Sequence, residues 1–194
     1  GEGEEGEGEE GEGEEEPRPP SVPEFGEDGA RRLEVVGNAV HGMRQPRDLQ
    51  FNPERPHELW VLDQRLEGFV IFSDAPSADR TVHTRIDVTH WHFMANPSSM
   101  SFGADSTLGT CQESRNEMDP LAPDYMGPTL WSSDLEVFAR IGQHFEEQRN
   151  GSHLDMLHQS PMCMGIEHEE ANVYWVADGA GGPRGSGGLP HIVR

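Results

Sequence analysis

MLHQSPMCMGIEHEEANVYWVAD, residues 156–178, carries the plan of the whole chain. A proline leads into a short alternating apolar run, an acidic turn follows, and an aromatic segment ends at Asp178. Two earlier stretches share that plan, HGMRQPRDLQFNPERPHELWVLD at 41–63 and HFMANPSSMSFGADSTLGTCQ at 92–112. Self-similarity at about fifty residues is the mark of a repeat architecture. Aligning Pro46, Pro97 and Pro161 places Leu49, Met100 and Met164 at one position, and Phe51, Phe102 and Ile166 two further on. A spacing of two puts such pairs on one face of a strand. Trp60, Cys111 and Trp175 then align in the following strand, which stops at Asp63, Gln112 and Asp178.

Working outward, short strands are expected at 33–36, 47–51, 58–62, 68–72, 81–87, 98–102 and 108–111. More follow at 135–139, 162–166, 173–177 and 191–193. Proline, Asn, Asp and Gly cluster between them as turn chemistry. A loop of about twenty residues, 114–133, interrupts the second repeat, and AGGPRGSGGLP at 180–190 reads as a flexible linker without a phosphate-loop pattern. Helical periodicity is poor, enough for a turn or two at 141–149. The expectation is an all-β fold with repeats near 33–79, 80–140 and 141–194.

Before the repeats stands GEGEEGEGEEGEGEEE, whose ten Glu and six Gly cannot bury a core, so residues 1–32 read as a disordered tail running into a proline-rich linker. The 194-residue chain carries 36 acidic and 14 basic residues, a net charge of −22, and stays at −12 without those ten Glu. Such a surface repels phosphate backbones, which argues against nucleic-acid binding. It disfavours anionic membranes equally, and no apolar run is long enough for a membrane span. No signal peptide is evident, and the sequence begins with Gly, as a processed product or a fragment would. The composition leaves the compartment open. Cys111 and Cys163 could pair, bind metal or stay as small buried thiols, the last being the leading expectation.

The three repeats resemble the NHL-repeat β-propellers, six-bladed folds of the SMP-30/TolB-like kind. The residues that carry the likeness are Leu59 to Asp63 with Phe69 to Phe72, and Val173 to Asp178 with Ile192 and Val193. The middle repeat departs, with Cys111 and Gln112 where the family favours a small residue and Asp. The resemblance implies an incomplete β-propeller of about three blades over 33–194. Three blades leave sheet faces open, so the remaining blades are expected from a missing part of the chain or from a second copy.

Two functions follow as expectations. The first is a binding module for a protein or small-molecule ligand, with the long loop as contact surface through Tyr125 and Trp131, and with Glu113, Arg115 and Asn116 as a polar cluster beside it. The second is a metal-dependent lyase or hydrolase. Each repeat opens with a His and a Met two apart: His41 with Met43, His92 with Met94, and His158 with Met156. Extended segments would set each pair on one face, and imidazole with thioether suits zinc or copper. In the NHL-like peptidyl-hydroxyglycine lyase three propeller histidines hold zinc, but its catalytic tyrosine and arginine have no match here. The competing reading is packing between blades, for which Met is well suited. HExxH and GxSxG are absent, and GxGxxG occurs only inside the Gly/Glu run, at 1–6 and 6–11, with no strand before it.

Overall fold

The alternating and aromatic runs fold as antiparallel meanders. The computed structural model describes residues 35–87, 90–112, 127–134, 153–156, 163–179 and 190–194, all within the unit Val35–Arg194. Sheet 1 runs in the order β1 (Pro46–Asn52), β2 (Arg55–Asp63), β3 (Gly68–Ser73) and β4 (Thr81–Arg85). Sheet 2 follows with β5 (Pro97–Phe102), β6 (Thr107–Gln112), β7 (Thr129–Ser132) and β8 (His153–Met156). Sheet 3 has β9 (Cys163–Glu170), β10 (Val173–Asp178) and β11 (His191–Val193). The described residues are therefore all-β apart from a 3₁₀ turn, Ala39–His41, and the short helix α1, His90–Phe93.

The placement of several elements differs from expectation. Val35 and Val36 lie outside any strand, and both are exposed. The third strand of sheet 2 is β7, inside what reads as the loop, because Thr129 and Trp131 alternate into buried positions there. The expected strand at 135–139 and the helical turn at 141–149 lie outside the described residues, as does the tail. The outer strands β4 and β8 belong to sheets 1 and 2, so both sheets reach past the repeat boundaries drawn at 79/80 and 140/141.

Strand register refines the repeat. Pro46 pairs with Asp63, Pro97 with Gln112, and Cys163 with Asp178. Each sheet has a bulge immediately afterwards, which skips Arg47, Ser98 and Met164. A bulge leaves one residue out of the ladder and sharpens the local twist, so its recurrence at one place marks one design used three times. The equivalent of Pro46 and Pro97 is thus Cys163, two residues beyond Pro161. Counting from there, Leu49 and Met100 match Ile166 rather than Met164, and Phe51 and Phe102 match His168. Trp60 and Trp175 match Gly109 rather than Cys111.

The sheets stack in chain order, so each has a front face toward the next sheet and a back face toward the previous one. Trp60, Leu62, Phe69 and Ile71 on the front of sheet 1 pack against Met100, Phe102, Leu108 and Trp131 on the back of sheet 2. The Trp60 ring lies 5.4 Å from that of Phe102, edge to face. Cys111, Cys163, Val176, Ile166 and Val193 form the core between sheets 2 and 3. Cys111 and Cys163 are joined in a disulfide, Cα to Cα 5.0 Å, in place of the free thiols expected. Stacking two equivalent sheets brings β6 beside the start of β9, a proximity that spacing along the chain cannot reveal.

The first strands of successive sheets are also stitched by one recurring bond. Gln50 Oε1 accepts from Phe102 N at 3.1 Å, and Ser101 Oγ accepts from His168 N at 2.9 Å. Gln50 and Ser101 are register equivalents, as are Phe102 and His168. Asp48 adds a charged acceptor for Met100 N at 2.8 Å.

Candidate functional site

The His–Met pairs sit in the segments that lead into the first strands. The first two of these segments are not extended. Asn38 caps the 3₁₀ turn: its Oδ1 accepts from Val40 N, and its own N–H donates to His41 Nδ1 at 3.1 Å. His41 then lies against Phe72, ring centroids 5.8 Å apart, and Gly42 ends the turn at φ 93°. A helical turn sends residues two apart in different directions, so the condition for a shared ligating face fails here. Met43 packs on the back of sheet 1, and Met94 is fully buried between sheets 1 and 2. His92 belongs to α1 and Met156 ends β8, while His158 lies outside the described residues. Among the described residues no three His, Cys, Asp or Glu side chains gather to hold zinc or copper. Both Met residues take the packing role weighed against ligation.

Of the expected contact residues, Tyr125, Glu113, Arg115 and Asn116 lie outside the described residues. Trp131 is a core residue rather than an exposed contact. It is fully buried, and its indole N–H donates to Thr110 Oγ1 at 2.7 Å.

A concave feature of the described residues lies between sheets 2 and 3. A cleft of about 700 Å³ is walled by Gly109, Leu130 and Asp155 of sheet 2 and by Ile166, Tyr174, Val176 and Val193 of sheet 3. Gly109, Leu130 and Asp155 are cross-strand partners, so they share the front face of sheet 2. Pro128 and Thr129, where the long loop returns to the sheet, also line it.

The residue at position 109 sets how closely sheets 2 and 3 approach. Its equivalent in sheet 1, Trp60, fills the first inter-sheet space with an indole. Glycine contributes no side chain, and sheet 3 comes close at that point. A Cβ on Gly109 would meet Ile166 Cδ1 at 2.6 Å and Tyr174 Cε1 at 3.1 Å. Away from this approach the outer strands leave space open. Tyr174 is positioned at one side by Thr107, whose Oγ1 lies 3.1 Å from the phenol oxygen. Burial pushes the Tyr174 phenol above the usual tyrosine range, partly offset by that hydrogen bond, so the ring is neutral at physiological pH. An apolar cleft with a few polar groups in its lining (Thr129, Asp155 and Asn172) is suited to holding an apolar group.

No family model matches the chain, and no curated protein or solved structure matches it either.

Sequence reasoning missed the cleft because the proline alignment set Cys111, not Gly109, opposite the two tryptophans. Aligning on the stop residues Asp63, Gln112 and Asp178 instead would have exposed a large-to-none substitution at an interior position.

Proposed function

We propose that the chain follows a β-propeller plan and works as a binding module. The cleft between its second and third sheets holds an apolar ring, carried by a small molecule or by a partner protein. The observation that carries this reading is the cleft of about 700 Å³ between sheets 2 and 3, open toward the outer strands beside the point where Ile166 and Tyr174 close on Gly109. The recurring bulge and the recurring stitch between first strands support the propeller plan. The long loop predicted as the contact surface returns to the sheet at Pro128, on the rim.

Indole is a suitable probe, a flat apolar ring small enough for a cleft of about 700 Å³. Saturation-transfer NMR should detect indole binding, and Leu130→Trp, which fills the cleft from within, should weaken it at least tenfold. Equal binding by that variant would remove the cleft from this reading.

A further inference from the structure

The sheets at the two ends of the stack carry faces that are opposite halves of a contact the molecule already makes within itself. On the back of sheet 2, Met100 and Phe102 are 1 % and 7 % exposed beneath sheet 1. Their equivalents on the back of sheet 1, Leu49 and Phe51, are 58 % and 51 % exposed. The rest of that back face is buried, with Met43 packed on it much as Met94 packs on the back of sheet 2. Among the described residues, Leu49 and Phe51 have no preceding sheet over them.

The front of sheet 3 is the other half. Trp175 is 43 % exposed where Trp60 is 0 % exposed, and Ile192 beside it is exposed as well. Trp175 is nevertheless fixed in place. Its indole N–H donates to Glu169 Oε2 at 3.0 Å, Arg194 Nε donates to the same oxygen at 2.6 Å, and the guanidinium lies 5.7 Å from the ring centroid. Trp60 is fixed alike: its N–H and Arg55 Nε both donate to Glu58 Oε2 at 2.8 Å. An indole clamped this way has little rotamer entropy left to lose on docking, and buried Trp residues dominate interface energies.

We infer that a second copy of this chain covers both faces, the front of sheet 3 of each copy seating on the back of sheet 1 of the other. This rests on the propeller plan above and names the partner that completes it. At the first strand the contact repeats the one between sheets 1 and 2, with Trp175 meeting the partner's Phe51 as Trp60 meets Phe102, while the rest of the back of sheet 1 stays covered by its own lead-in segment. The stitch extends too. Glu167 holds the register position of Gln50 and Ser101, so its carboxylate accepts from the partner's Phe51 N–H on the edge strand β1. The contact is heterologous. Three sheets from each copy make the six of the propeller plan, so the proposed ring closes after two copies.

Sedimentation velocity over a wide concentration range tests this. The expected species is a dimer, with Trp175→Glu and Phe51→Glu each weakening it at least tenfold. Mixing a Trp175→Cys copy with a differently tagged Phe51→Cys copy should give a crosslink between the two tags, and two Trp175→Cys copies should not crosslink. A monomer at every concentration overturns the inference, whether Trp175 is then open to solvent or covered by another segment. A dimer indifferent to both substitutions, or an open-ended polymer, overturns it equally. A monomer that still binds indole in a Leu130-dependent way removes the second copy and leaves the cleft standing. A dimer without indole binding does the reverse.

Discussion

Trp60 and Trp175 occupy the same place in two sheets, each with its indole N–H on a glutamate that an arginine also grips, yet one is sealed in the core and the other lies in the open. Their own strands are alike, so the difference comes from what stands in front of them. Sheet 2 covers Trp60, and no described residue does the same for Trp175. Burial here is a property of the stack rather than of the repeat.

The largest expected effect separates the two directly. Trp60→Ala should destabilise the fold by about 3–5 kcal/mol in urea unfolding, the cost of emptying a packed aromatic site. Trp175→Ala, measured at concentrations where copies are apart, should cost less than about 1 kcal/mol, because the ring is already wet. Equal losses would mean that Trp175 is covered in the single chain.

Next comes the way each interface is held. Sheets 1 and 2 meet through large side chains, whereas sheets 2 and 3 meet through small ones and a disulfide. Replacing both Cys111 and Cys163 with Ala should cost about 2–4 kcal/mol through loop closure, given the separation of 52 residues. It should raise amide exchange in β9 and β10 more than in β2 and β3.

The stitch gives a smaller contrast. Asp48→Ala removes the acceptor of Met100 N and should cost about 1–2 kcal/mol. Glu167→Ala, at an end of the stack, should be near neutral in the separated chain.

The smallest effect is electrostatic. Glu54 accepts from Ser106 Oγ at 2.6 Å and from Ser106 N at 2.8 Å, and these bonds hold its carboxyl below the usual glutamate range. The folded state therefore binds this proton less readily than the unfolded chain. Its stabilisation is present above the ordinary glutamate pKa and is lost as pH falls through the lowered one. A Glu54→Gln variant should show a slightly shallower acid limb in a stability-against-pH curve. Glu54 is exposed, so the contribution is small.

Much of this fold was legible in the sequence. Alternation located β1, β5 and β9, and the aromatic runs located β2, β3 and β10, because strand periodicity is a local property. What failed was register. Proline marks the start of a strand only by being tolerated there, so Pro161 misled by two residues, whereas Asp63, Gln112 and Asp178 are held by pairing. Asp63 shows why. Its carboxylate accepts from Arg44 N and Gln45 N at 2.7 Å and from Leu66 N at 2.9 Å, tying the lead-in segment and the turn to the strand end. The cleft was illegible for a related reason: Gly109 looks like any strand glycine until the facing sheet is known. Trp131 read as an exposed contact because its strand was hidden within a polar loop.

The disulfide has a mechanical consequence. Together with the Ser101–His168 and Thr107–Tyr174 bonds it forms a seam between sheets 2 and 3, while the cleft reaches the outer side of that seam through Leu130, Asp155 and Val193. Two plates fastened along a line can swing apart but cannot slide. Under the proposed binding role, a guest of varying thickness would be accommodated by the angle between the plates, with no strand changing its partner.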